Sequence, residues 1–210
     1  PGTEPRPSPR DSSMFASTPA ANLDEDSLSP LHAGEVPVTF ANGETLDAEL
    51  VGSDVFTDLA LLKVTVDFNV TPFTLGDSAL TNVGEYVLAI GSPLGLEFSG
   101  SVTMGIISGT NRIIPVDLDD DGEDDWDSIV LQTDAAINSG NSGGALVDTE
   151  GRLVGINTLI FSRSGGYQGI GFAIPVGLAR RIMEEIIETG AVTRGWFGVE
   201  VASITPELAE

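Results

Sequence analysis

Short apolar runs broken by turn residues fill the chain from Val36 onward. VPVTF (36–40), TLDAELVG (45–52), LALLKVTV (59–66), EYVLAIG (85–91), SVTMGIISG (101–109), SIVLQT (128–133), GALVDT (144–149), RLVGINTLIF (152–161) and GIGFAIP (169–175) are each five to ten residues long. Runs of this length, rich in β-branched residues and separated by turn formers, predict strands. Asn42-Gly43 between two of them is a strong hairpin signal, and Thr149-Glu150-Gly151 marks a second. One segment has a different period. Val176–Thr189 follows Pro175 and precedes Gly190, and its Leu178, Ile182 and Ile186, with Met183 and Ile187, recur at helical spacing. The pattern therefore predicts an all-β barrel or sandwich closed by a single helix.

Residues 1–32 lack such a pattern. Prolines, serines and the cluster Asp24-Glu25-Asp26 predict a disordered leader or linker there. Composition adds limits. A length of 210 residues with 41% hydrophobic residues allows one good-sized core or two small ones, and the absence of cysteine excludes disulfide frameworks and thiolate metal sites. No apolar run is long enough to span a membrane, and the first residues carry no secretory signal pattern. The net charge of -23 repels phosphate backbones and argues against nucleic-acid binding. That charge has two local sources, the leader with five acids and the loop Asp117–Asp127 with eight, leaving 19 acids against 7 bases elsewhere.

Candidate chemistry centres on QTDAAINSGNSGGALV (132–147). Gly140-Asn141-Ser142-Gly143-Gly144 places one hydroxyl within a backbone that can take positive φ and approach a ligand closely. Such a turn can aim the N–H groups of Gly140 and Ser142 at one point, forming an oxyanion hole beside a Ser142 nucleophile. Taken alone, the motif fits a plain glycine-rich turn equally well. The acidic loop has its own candidate chemistry. Asp117, Asp119, Asp121 and Asp125 stand at positions 1, 3, 5 and 9, with Gly122 at 6 and Glu123 at 7, a spacing that lets alternate carboxylates converge on calcium. Ser128 occupies position 12, where a calcium loop of the EF-hand type has glutamate, so a merely solvated acidic loop is the other reading.

Beyond these single motifs, TDLALLKV (57–64), GEYVLAIGSPLGL (84–96), SVTMGIISGTNR (101–112), LQTDAAINSGNSGGALVD (131–148), GRLVGINT (151–158), GIGFAIP (169–175) and RGWFGVEV (194–201) together resemble, in order, the HtrA/Deg family of chymotrypsin-like serine proteases. The resemblance implies a double β-barrel, the first barrel incomplete in this chain, over residues 33–192, and the beginning of a PDZ domain over 193–210. It implies Ser142 as nucleophile, Asp58 as triad carboxylate, and an oxyanion hole from the amides of Gly140 and Ser142. Ile137 and Asn138 would form the base of an apolar specificity pocket, faced by Thr158, Leu159 and Ile160, favouring a small or medium aliphatic side chain before the scissile bond. Ile137 could as well be core alone. Trp196, Phe197, Gly198 and Val199 resemble the loop that grips a peptide carboxylate.

The triad's third member is the departure. The family register puts the histidine near Leu28, and the only histidine, His32, stands four residues later in an unrelated setting. His32 is therefore read as incidental, and without an imidazole base Ser142 would keep an unreactive hydroxyl. The resemblance leaves two accounts: part of a serine endopeptidase of misfolded or regulatory envelope proteins, or a non-catalytic peptide-binding, chaperone-like pseudo-protease. By family, the complete protein would be periplasmic or in the cell envelope, would assemble as a homo-trimer, and would act on protein and peptide substrates with no required cofactor.

Overall fold

The computed structural model describes residues 10–16, 36–93, 96–117, 121–160 and 168–195. Ten strands and one α-helix are found among them: β1 (Arg10–Ala16), β2 (Val36–Thr39), β3 (Thr45–Asp54), β4 (Leu59–Val66), β5 (Tyr86–Gly91), β6 (Ser101–Val116), β7 (Trp126–Thr133), β8 (Ala145–Asp148), β9 (Leu153–Ile160), β10 (Gly171–Pro175) and α1 (Val176–Thr189). They build two bodies. A four-stranded antiparallel sheet has the order β1-β4-β3-β2, and a closed barrel runs β10-β7-β6-β5-β8-β9. This is the expected pair of β bodies, with the first one open and the second closed.

Local chemistry accounts for the connections. In the hairpin between β2 and β3, Gly43 takes φ 85° and donates to the Phe40 carbonyl, while Phe40 receives closure by donating to Glu44. The β8–β9 turn is held by Asp148, whose carboxylate accepts the N–H groups of Glu150 and Arg152 and the Arg152 Nε. Helix α1 starts directly after Pro175 and stops at Gly190, which adopts φ 81° and donates to Ile186 O at 2.8 Å. Strand β6 runs past the expected end at Gly109 to Val116, with register shifts around Gly109 and Asn111 at φ 52°. Bulges of that kind bend a strand without ending it.

One expectation needs correction. Arg10–Ala16 lies inside the segment 1–32 read as disordered, yet it pairs antiparallel with β4, from Arg10 opposite Val66 to Ala16 opposite Ala60. Strand addition is driven by the unpaired main-chain groups of an edge and asks little of side-chain periodicity, so the pattern along the sequence does not announce it.

Three apolar clusters position the site. Val87, Ala89, Ile107, Leu131, Ala135, Ile137, Leu146, Val154 and Ala173 fill the closed barrel. Ala48, Leu62, Val64 and Val66 line the open sheet, where Phe40 meets Phe68 edge to face at 5.0 Å. The third cluster joins the two bodies: Leu59 and Leu61 of β4 pack with Ile156, Ile174 and, from α1, Ala179, Ile182 and Ile186. The start of β4 is thereby fixed against β9 of the barrel.

Candidate active site

The segment 133–144 is tied to the barrel on every side. Thr133 Oγ1 donates to Ile106 O and accepts Ala135 N–H, Asp134 Oδ1 accepts Ile106 N–H, and Thr103 Oγ1 donates to Ala136 O at 2.8 Å. A turn follows, with Asn141 N–H bonded to Asn138 O at 2.9 Å and Gly140 at φ 96°, a conformation that side chains disfavour. Ser92 N–H holds the Gly140 carbonyl, Gly143 N–H donates to Asn157 O, and Gly144 exchanges bonds with Asn141 and Asn157. The Gly140 and Ser142 N–H groups find no backbone acceptor among the described residues. Ser142 Oγ, half-buried, donates to Thr158 O at 2.7 Å.

Asn141 is the buried anchor of this turn. It is 2% exposed and its Nδ2 donates to Ala136 O at 3.2 Å. Asn157, wholly buried, spans β5 and β8 by donating to Ile90 O and Ala145 O. Neither role is visible in the motif itself, because the acceptors are main-chain carbonyls with no sequence signature. Ile137 is 1% exposed among the barrel's apolar residues, with its side chain where a Cβ on Gly171 would stand. Asn138 is exposed at the turn, and Thr158 is buried with its carbonyl on Ser142. Leu159 and Ile160 continue β9 in the backbone.

Asp58 ends the turn between β3 and β4, with φ 53° and its N–H on Val55 O at 3.4 Å. Left-handed backbone at a residue other than glycine is uncommon, and aspartate tolerates it better than most. Its neighbour Leu59 shares a cluster with Ile156, while Ser142 and Gly143 bond to Thr158 and Asn157. Ser142 and Asp58 are thus carried to the same strand of the barrel by separate elements.

In the acidic loop, side-chain carboxylates accept from the backbone of its described part. Gly122, at φ 92°, donates to Asp117 Oδ2, and Glu123 N–H donates to Asp121 Oδ1. Among the described residues no three acidic or histidine side chains converge as a metal cage. Asp119, His32, and the loop Trp196, Phe197, Gly198 and Val199 lie outside the described residues.

Comparison with known proteins places this geometry. The family model for a trypsin-like peptidase domain matches residues 14–156. A probable periplasmic serine endoprotease DegP-like of Halomonas elongata is 47% identical over 178 residues, covering 85% of this chain and 35% of the relative. Serine protease Do-like HtrB of Bacillus subtilis is 46% identical over 173 residues, covering 82% and 37% respectively. Among solved structures, the HtrA-type protease AlgW with tripeptide superposes with a TM-score of 0.75 at 47% identity, covering 94% of this chain and 59% of that one. The chain spans about a third of the length of the curated relatives it matches.

Proposed function

Because the chain belongs to the HtrA/Deg family of trypsin-like serine endopeptidases, we propose that it carries the acyl-transfer half of a peptide-hydrolysing site, with Ser142 as nucleophile. The observation that supports this most is the turn Asn138–Gly144. It presents a hydroxyl beside two N–H groups that have no backbone acceptor among the described residues, which is what a developing oxyanion requires. Attack by Ser142 Oγ on a peptide carbonyl would form the acyl-enzyme and release the amine, and water would then release the acid. Asp58 would orient an imidazole that takes the serine proton. The part not supplied by any described residue is that imidazole, since the sole histidine is His32.

The substrate is a protein or peptide with a small or medium aliphatic residue before the scissile bond, and the complete protein works as a trimer in the cell envelope with a PDZ domain following. The relatives' names, which place them in the periplasm, support the location. A second reading, a peptide-binding pseudo-protease, is favoured by the histidine's absence from the family register.

A peptidyl boronate with valine at its reactive end tests the first reading against the second. With the base restored in Leu28→His, an acyl-transfer site is expected to bind it roughly a hundredfold tighter than the matching carboxamide, with the gain lost when Ser142→Ala is added. Equal affinity for both ligands would leave only a binding module.

A further inference from the structure

Outside the Ser142 turn, a dense set of specific contacts lies where three distant parts of the chain meet. Asp54, at the end of β3, is 5% exposed. Both of its oxygens accept from the Arg194 guanidinium, and Oδ2 also accepts from Thr57 Oγ1. The guanidinium carbon of Arg194 stands 4.7 Å from the Phe56 ring centroid and 5.4 Å from that of Trp126. The two rings themselves meet at 5.1 Å and 57°. Arg194 belongs to the segment that leaves α1. Trp126 opens β7, opposite Val116, at the foot of the hairpin arm that bears the acidic loop.

Each contact is of a kind that fixes orientation. A planar guanidinium meets a carboxylate in two parallel bonds, and the same plane lies well against aromatic faces. Asp54, Phe56 and Thr57 are three of the residues immediately before Asp58, within a turn whose backbone bonds include the long 3.4 Å one from Asp58 N–H to Val55 O.

We propose that Trp126 and Arg194 are positioning residues for Asp58: together with Phe56 they clamp the turn that carries it, so the acidic arm and the segment leaving α1 both govern where that carboxylate points. The catalytic consequence rests on the reading of Asp58 as the triad acid, whereas the clamp itself does not. An arm or following domain that pulls on either residue releases the turn without touching Ser142.

Hydrogen–deuterium exchange on the full chain tests it, comparing Trp126→Leu, Arg194→Met and Arg194→Lys with the parent. Exchange over residues 55–59 is expected to rise roughly tenfold in Trp126→Leu and Arg194→Met, while residues 145–157 of the barrel stay unchanged. Arg194→Lys, which keeps charge without the bidentate plane, is expected to recover part of the protection. Unchanged exchange at 55–59, or an equal rise in both segments, would overturn the clamp. If Arg194→Met fails to fold because Asp54 is left buried and unpaired, Trp126→Leu, which keeps the ion pair, decides. Loss of the Leu28→His boronate gain on adding Asp58→Asn is the separate check on the triad reading, so the two ideas fail independently.

Discussion

A Cβ on Gly144 would stand 2.0 Å from the Ile90 carbonyl oxygen and 2.8 Å from that of Asn141. Neither atom is the end of a flexible side chain, so the turn or β5 would have to move. Gly144→Ala is expected to cost about 2–4 kcal/mol in urea unfolding, which a near-neutral effect would contradict. Asp148 shows a different single-residue dependence. Burial alone would raise its pKa, but hydrogen bonds from the Arg152 main chain and side chain and from the Glu150 amide outweigh that and hold the carboxyl below its ordinary value. A depressed folded-state pKa gives stability that is complete above the unfolded value, near 4, and is lost as pH falls through the folded value. The melting temperature of Asp148→Asn should therefore fall less steeply than the parent's below about pH 4. Parallel curves would show that the carboxylate does not hold the turn. At this scale the sequence makes Ser142 and its glycines visible because a motif is a local pattern. Asn141 and Asn157 are not, since the carbonyls they grip come from Ala136, Ile90 and Ala145, the last two on other strands.

Helix α1 and the hairpins are the elements most legible beforehand, because their signals are local as well. Pro175, the apolar spacing and Gly190 specify the helix, and the structure returns the same limits. Gly190→Ala forces a side chain into the left-handed cap at φ 81° and is expected to lower stability by about 1 kcal/mol. An unaltered denaturation midpoint would mean that the cap bond to Ile186 contributes nothing. Strand β1 was illegible for the opposite reason. Its partner, β4, lies some fifty residues away, and the bonds between them are made by main-chain groups common to every residue. The extension of β6 to Val116 escaped for a related reason: bulges hide a strand's period from a reading that counts alternation.

Across the whole molecule, the proposed function depends on how the two β bodies meet. Leu59 and Leu61 join Ile156, Ile174 and the apolar face of α1, and this shared cluster brings the Asp58 turn to the strand that holds Ser142. Matched motifs along the sequence announce that arrangement only through resemblance, because no local pattern encodes a contact between Leu59 and Ile156. The Asp54–Arg194 pair, 140 residues apart, was invisible for the same reason. Net charge is likewise a poor guide to the site, since the leader and the acidic arm account for only about half of it and neither carries Ser142. The histidine count is the better guide. With His32 four residues from the family register, the proposed reading gives Ser142 its turn and, in Asp58, an acid partner, but no base. Fluorophosphonate labelling, mapped by mass spectrometry, tests this most directly. The account predicts no adduct on Ser142 in the chain as it stands, and an adduct in Leu28→His that disappears in Leu28→His with Ser142→Ala. An adduct on Ser142 of the unaltered chain that vanishes in His32→Ala would contradict it.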